Sequence, residues 1–141
     1  GGNFYAIIDQ QKNFSGIQDF TASELIQMGN PLRESINKKY PNYFVHLENE
    51  SIRDVTHLLW GGETISKNAT ARNAVFYGSG AIDRSPCGTG TSARMAQWFA
   101  NGKLKLGEEF IHESIIGSQF IGKIDKETKL KNKKAIVPSI Q

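Results

Sequence analysis

Short apolar runs separated by polar segments rich in Gly and Asn recur along this chain, and each run predicts one β-strand. The run Phe4–Ile8 is the most compact of them. The other predicted strands are residues 52–60, Ala71–Tyr77, and residues 109–115, 119–124 and 134–137. Residues 14–17 predict a turn or a short strand, residues 61–69 a hairpin connection, and residues 125–132 the connection between the last two strands.

Two other segments show helical spacing. Thr21 and Glu24 have the spacing of a capping box, so a helix is predicted from there to about Lys39. Residues 29–31, Gly-Asn-Pro, predict a kink or a break within this helix. Its apolar positions, interpreted as a core face, are Leu25, Met28, Leu32 and Ile36.

A second helix is predicted from Thr89 or Gly90 to Asn101 and Gly102. It is apolar around most of its circumference, so we expect it to be enclosed by sheet. Strands surrounding two helices predict an α+β domain with largely antiparallel pairing.

Composition excludes several function classes. A chain of 141 residues with 38% hydrophobic and 22% charged residues is typical of one globular domain with its own core. The formal net charge of +3 is too small to indicate nucleic acid, and the lysine-rich residues 129–134 are interpreted as a solvated hairpin. No apolar run has the length of a membrane span. We therefore expect no membrane partner, and the small net charge predicts no nucleic-acid partner either.

Cys87 is the only cysteine of the chain. This excludes an internal disulfide framework and a Cys-rich zinc site, and it predicts a reducing compartment such as the cytoplasm. The three histidines are scattered along the sequence, and no metal site is expected.

Cys87 lies in the segment DRSPCGTGTSA, residues 83–93, directly before the second helix. A helix start has unpaired N–H groups and partial positive charge, so it binds anions and stabilises a thiolate. This pattern predicts a reactive thiol beside an anion-binding turn. A buried, inert cysteine at a Gly-rich turn is the alternative.

Phosphate chemistry fits this segment poorly. Six residues separate Cys87 from Arg94, one more than a thiol-phosphatase loop has, and residues 88–92 contain no lysine for a nucleotide P-loop. Nothing in the sequence brings a histidine to Cys87 as the base of a cysteine protease. Proton transfer is left: a thiolate removes a proton from a carbon next to a carboxylate that N–H groups hold. Asp83 either pairs with a substrate amine or caps the turn that follows it.

Residues 83–93 resemble the second active-site signature of the proline racemase family, which includes 4-hydroxyproline 2-epimerases. Residues 1–6 resemble the strand that opens the family's C-terminal half, and residues 107–108 and 113–120 resemble the block after the signature. The resemblance runs nearly end to end and is thinnest over residues 17–70.

The resemblance implies a diaminopimelate-epimerase-like fold, in which two similar halves each wrap a sheet around a central helix and the active site lies between them. It also implies a cofactor-independent enzyme for a small imino acid, with two cysteines on opposite faces of the substrate. By this likeness Cys87 is one of the pair, Gly88 and Thr89 donate N–H groups to the carboxylate, and Asp83 approaches the ring nitrogen. Tyr77 is either a substrate-shaping side chain or simply the end of a core strand.

The family's first cysteine belongs to its N-terminal half. We therefore expect residues 1–141 to be the C-terminal catalytic half-domain of a longer parent protein, without the N-terminal half and the C-terminal tail, and to be inactive alone. The resemblance implies a homodimer for the full-length protein.

The substrate stays open between two imino acids. Family dehydratases carry Thr in place of the second cysteine, so Cys87 favours a racemase or epimerase. Tyr77 favours proline, whereas residues 114–118 favour 4-hydroxyproline. The rival hypothesis is a non-catalytic module that binds a small anion or a partner through Gly88, Thr89 and Gly90.

Overall fold

Seven strands form one mixed sheet that carries both long helices of the structure. The computed structural model describes residues 2–141, so Gly1, the first residue of the N-terminal motif, lies outside the described residues. The elements in chain order are β1 Phe4–Ile8, a 3₁₀ helix Ile17–Asp19, α1 Ala22–Lys39, β2 Val55–Gly62, β3 Ala71–Tyr77, β4 Ala81–Ile82, α2 Gly88–Ala100, β5 Glu109–Glu113, β6 Gln119–Leu130 and β7 Lys133–Ile140.

The strand order is β1-β2-β3-β5-β6-β7, and the short β4 pairs with β3. Two pairs are parallel, β1 with β2 and β3 with β5. The other pairs are antiparallel: β2 with β3, β3 with β4, β5 with β6, and β6 with β7. The expected α+β architecture with largely antiparallel pairing is confirmed.

Helix α1 begins at the predicted capping box. The Thr21 hydroxyl accepts the Glu24 N–H at 3.2 Å, and the Glu24 carboxylate accepts the Thr21 N–H at 2.7 Å. The helix continues through Pro31 to Lys39, so the predicted break does not occur. Pro31 is exposed, and so is Gln27, whose carbonyl loses its helical partner because proline has no N–H. Asn30 also anchors this turn by donating to the Ser79 carbonyl at 2.8 Å.

The two helices pack on opposite faces of the sheet. One face of β2 and β3 forms a core with α1, which includes Leu58, Trp60 and Phe76. On the other face, Val75 lies against Gly90 of α2. The far side of α2 packs against the second half of the sheet, where Met95 lies against Gly122 of β6. The sheet therefore curls around α2, as its apolar sequence predicts.

The hairpin of β6 and β7 is longer than predicted. Residues 125–130 belong to β6, and β7 continues to Ile140, so the prediction of a connecting segment over residues 125–132 is wrong. These residues are mostly charged and exposed, and cross-strand backbone pairing rather than an apolar face makes them a strand. Pro138 fits in β7 because this is an edge strand.

Smaller differences concern element ends. β2 begins at Val55 rather than residue 52 and continues to Gly62, and β5 ends at Glu113. In the segment predicted as a turn or short strand, residues 14–17, Phe14 makes an isolated β-bridge with Gln11. The 3₁₀ helix begins at Ile17. α2 begins at Gly88, one residue before the earlier of the two predicted starts, Thr89 and Gly90.

Candidate active site

Cys87 is the N-cap residue of α2 and lies where the sheet face of β1–β3 meets the start of that helix. Its backbone has φ 64°, a left-handed conformation that is uncommon for residues other than Gly. Such backbone strain concentrates at functional sites. The thiol is half-buried, and it is the free thiol of the chain. Cys87 is therefore not a fully buried cysteine, and part of its surface is accessible.

Three groups surround the sulfur. The Gly90 N–H donates to Sγ at 3.4 Å. The Tyr5 hydroxyl lies 3.5 Å from Sγ, and the Thr89 hydroxyl lies 3.6 Å from it. The two hydroxyls are in turn 2.7 Å apart. The sulfur thus faces one backbone donor and a pair of hydrogen-bonded hydroxyls.

Tyr5 retains its proton at neutral pH. Burial of the phenol raises the pKa of Tyr5 well above its usual range, and the neighbouring Cys87 raises it further. A protonated phenol donates a hydrogen bond to a thiolate and accepts one from a thiol.

A chain of turn hydrogen bonds fixes the approach to α2. The Asp83 carboxylate accepts the Ser85 N–H at 2.9 Å, and the Ser85 hydroxyl accepts the Cys87 N–H at 3.0 Å. The Asp83 N–H donates to the Val75 carbonyl of β3 at 2.8 Å. Asp83 therefore caps this turn, which is one of the two roles considered for it, and the turn attaches directly to the sheet.

Buried polar side chains hold the residue before the cysteine. The Pro86 carbonyl accepts from the Asn73 amide at 3.2 Å and from the Thr91 hydroxyl at 3.4 Å. Nδ1 of His112 lies 2.9 Å from the same Thr91 hydroxyl. Burial, followed by the positive charge of Arg94, lowers the pKa of His112 to about 3, so the imidazole is neutral. A neutral Nδ1–H that donates to Thr91 leaves the Thr91 proton for the Pro86 carbonyl. Nε2 of His112 is buried and has no hydrogen-bond partner among the described residues.

An aromatic row crosses three strands beside the thiol. His57 is the register partner of Tyr5 across β1 and β2, and their ring centroids are 4.9 Å apart. The His57 ring also stacks on Tyr77 of β3, at 6.4 Å and an interplanar angle of 15°. Burial lowers the pKa of His57, and the positive charge of Arg33 adds to this effect, so the ring is neutral at physiological pH. Its Nδ1 lies 2.8 Å from the Thr56 hydroxyl.

Four of the five predicted site residues are neighbours along the sequence, and the fifth, Tyr77, lies on a separate strand. Asp83, Cys87, Gly88 and Thr89 adjoin one another in the turn and the first turn of α2. Gly88 and Thr89 are exposed, and their N–H groups belong to the first turn of α2, where no carbonyl of the helix can accept them. Tyr77 is 43% exposed and joins the site through His57 rather than by contact with Cys87.

Tyr5 and His57 belong to the site but carry no local sequence signal for it. The sequence pattern predicts Tyr5 only as part of a buried strand, and it predicts no link between His57 and Cys87. The signal that identifies them is register: parallel pairing of β1 with β2 puts Tyr5 beside His57, on the sheet face that α2 covers. A single sequence does not display that pairing.

A cleft of about 430 Å³ extends from the site along α2. It lies between the beginning of β1 and the edge strand β7, and Tyr5, Thr89, Ala93, Ala96 and Ile136 are among its lining residues. The hydroxyl pair of Tyr5 and Thr89 therefore borders open space on the side away from Asp83.

The described part of the chain has neither a metal-ligand cluster nor a membrane-spanning helix. Within residues 2–141, no three His, Cys, Asp or Glu side chains are grouped closely enough to hold a metal ion. Neither helix in this range is both long and apolar enough to cross a membrane.

The chain is similar in sequence to proteins named 4-hydroxyproline 2-epimerase. It is 60% identical over 141 residues to the 4-hydroxyproline 2-epimerase of Spirosoma linguale, covering 100% of this chain and 42% of that protein. It is 57% identical over 140 residues to the 4-hydroxyproline 2-epimerase of Ancylobacter novellus, covering 99% of this chain and 41% of that protein. The chain thus spans about two fifths of the length of these relatives.

A solved structure has the same fold. The hydroxyproline epimerase of Agrobacterium vitis, crystallised with bound trans-4-hydroxy-L-proline, superposes with a TM-score of 0.83 at 31% identity. The match covers 99% of this chain and 39% of that one, and it confirms the diaminopimelate-epimerase-like fold. The family model described as "Proline racemase" matches residues 1–141. This chain therefore belongs to the proline racemase family.

Proposed function

We propose that this chain is the C-terminal catalytic half of a longer, cofactor-independent epimerase that inverts Cα of 4-hydroxyproline. Family membership and the relatives named 4-hydroxyproline 2-epimerase support the reaction class and the substrate. The observation that carries the proposal is the position of Cys87, a half-buried thiol at the start of α2 beside the first N–H groups of the helix, those of the exposed residues Gly88 and Thr89.

The chemistry needs a base and an anion clamp on one side of Cα. In the proposed reaction the Cys87 thiolate removes the Cα proton, forming an S–H bond while the C–H electron pair moves towards the substrate carboxylate. The N–H groups of Gly88 and Thr89 hold that carboxylate and stabilise its added charge. An acid from outside this chain returns a proton to the opposite face, which inverts the centre.

Two further groups suit a cyclic imino acid. Asp83 supplies a carboxylate near Cys87 for the positively charged ring nitrogen, while one of its oxygens stays engaged with the Ser85 N–H. The Tyr77 ring offers an exposed apolar face for the five-membered ring.

A neutral His57 between two tyrosines favours a substrate that carries a hydroxyl over proline itself. Its Nδ1 is engaged by Thr56, and the other ring nitrogen is open to exchange a hydrogen bond with a hydroxyl.

Deuterium uptake at Cα in D₂O tests the proposal. The full-length protein that contains this chain is expected to exchange Cα of 4-hydroxyproline, whereas Cys87→Ser loses about 100- to 10,000-fold because a hydroxyl is a far weaker base than a thiolate. The 141-residue chain alone is expected not to invert Cα, since the acid on the opposite face is missing.

Controls separate lost chemistry from lost structure. Ser139→Ala, at an exposed position of β7, should leave exchange unchanged. Cys87→Ser should still bind a planar carboxylate analogue of proline. Full-length protein that binds the analogue but exchanges neither 4-hydroxyproline nor proline would refute the proposal and favour a non-catalytic anion-binding module.

A further inference from the structure

The Tyr5 hydroxyl bridges two groups at the start of α2 from a distant part of the chain. It lies 2.7 Å from the Thr89 hydroxyl and 3.5 Å from Cys87 Sγ, and more than eighty residues separate Tyr5 from both. The contact joins β1 to α2 at the reactive atom. Nothing in the core requires a hydroxyl here, since a phenylalanine ring would fill the same space beside His57.

The hydroxyl protons of Tyr5 and Thr89 determine which hydrogen bonds the Cys87 sulfur can make. Tyr5 and Thr89 each carry one hydroxyl proton, and the Gly90 N–H already donates to Sγ. When the Thr89 hydroxyl donates to Tyr5 Oη, the Tyr5 proton is left for a thiolate at Cys87. When the sulfur is protonated, its S–H donates to one of the two oxygens instead. A backbone N–H can only donate, so the hydroxyl pair alone serves both protonation states.

The Tyr5 phenol is suited to this role because it does not ionise in the working range. Burial and the neighbouring thiol raise the pKa of Tyr5. The ring is also held in place by its tilted contact with the His57 ring, with centroids 4.9 Å apart. A fixed, protonated donor keeps Sγ oriented without competing for the substrate proton.

We propose that Tyr5 is a positioning residue that, together with the Thr89 hydroxyl, stabilises the Cys87 thiolate and orients its lone pair towards Cα. This inference rests on the proposed proton transfer by Cys87. The proton removed from Cα goes to sulfur, and its electron pair stays with the substrate. The Tyr5 proton stays on oxygen throughout, changing only the strength of its hydrogen bond.

Other groups around the thiol are unaffected by the test substitution. Thr89 of α2 contacts the sulfur, and Asp83 lies in the turn before it. His57 of β2 contacts the Tyr5 ring, and Tyr77 of β3 stacks on His57. His57 is neutral, and Tyr5→Phe leaves the Asp83 side chain in place. A change in the pH dependence of Cys87 on removing the Tyr5 hydroxyl is therefore assigned to that hydroxyl.

The test is Tyr5→Phe in the full-length protein, which keeps the ring and removes only the oxygen. A hydrogen bond to a charged group corresponds to about one to two pH units, and a sulfur acceptor at 3.5 Å fits the lower value. We expect the acidic limb of Cα exchange, and of iodoacetamide labelling at Cys87 followed by mass spectrometry, to move up by about one pH unit. The KM for 4-hydroxyproline should change little.

Matched variants frame this result. Tyr43→Phe removes the hydroxyl of a 75% exposed tyrosine and should leave both pH profiles unchanged. Thr89→Val should move the labelling profile in the same direction as Tyr5→Phe. Thr89→Ser should keep the wild-type labelling profile, because serine retains the hydroxyl.

Each outcome has a distinct meaning. A Tyr5→Phe protein whose two pH profiles coincide with those of wild type would overturn the inference, and so would a uniform loss of rate without a shift. Wild-type protein that shows no Cα exchange would defeat the proposed function instead. In that case the labelling profile still decides whether Tyr5 acts on Cys87.

Discussion

Replacing Gly29 by alanine probes how α1 is seated on the sheet. Gly29 is buried, and a methyl group added there would lie 2.6 Å from two atoms of the Phe76 ring and 2.8 Å from a third. Carbon atoms in contact prefer about 3.5–4.0 Å, so the ring or the helix must retreat by about 1 Å. Phe76 is 0% exposed and lies in the core beneath α1, which leaves it little room to move.

Two opposing contributions set the size of the effect. Overpacking a core costs about 1–3 kcal/mol, whereas replacing glycine by alanine inside a helix stabilises it by about 0.5–1 kcal/mol. With three ring atoms in conflict, we expect a net loss of about 1–2 kcal/mol in the free energy of unfolding. Urea denaturation followed by tryptophan fluorescence measures it, since Trp60 belongs to the same core.

A double-mutant cycle isolates the ring contact. In a Phe76→Leu background the clash is removed, so Gly29→Ala should become neutral or stabilising by about 0.5–1 kcal/mol. Ser35→Ala, on the exposed side of α1, controls for helix propensity and should be slightly stabilising. If Gly29→Ala were equally destabilising in both backgrounds, the Phe76 ring would not be the reason that glycine is needed.

Two further predictions concern buried charge. Because His112 is neutral in the fold, with its pKa lowered from 6.5 to about 3, the unfolded chain binds the extra proton; stability is therefore full above pH 6.5 and declines towards pH 3, by at most about 1.4 kcal/mol per pH unit. Urea denaturation at several pH values should show a flatter decline for His112→Asn, and parallel curves would contradict this assignment. Asp9→Asn removes the charged partner of Arg94, whose side chain is only 8% exposed. We expect the free energy of unfolding to fall by about 1–3 kcal/mol, less than for a fully buried pair, because Asp9 itself is half exposed. Exposed Asp19→Asn should stay within about 0.5 kcal/mol, and an equal effect of the two changes would refute the argument.

Local patterns in the sequence determine the element types and part of the site. The spacing of Thr21 and Glu24 predicts the start of α1, and the run Ala71–Tyr77 predicts β3 with its observed ends. The turn before α2 is local too, which is why Asp83, Cys87, Gly88 and Thr89 are identifiable together. Capping, turns and amphipathic periods act over a few residues, so a single sequence displays them directly.

Other features depend on which faces meet. Residues 125–130 have the composition of a loop, yet they are a strand because β7 pairs with them. Likewise Pro31 has the sequence signature of a helix break, yet α1 continues because that turn is exposed and anchored by Asn30.

The reactive environment of Cys87 was decided by tertiary structure. The motif determines a thiol at a helix start with free N–H groups beside it, and the sequence alone is sufficient for that. The Tyr5 hydroxyl reaches the sulfur only because β1 pairs in parallel with β2 and α2 packs across their common face. Parallel neighbours are joined through distant segments of the chain, so the partner of Cys87 is set by long-range packing.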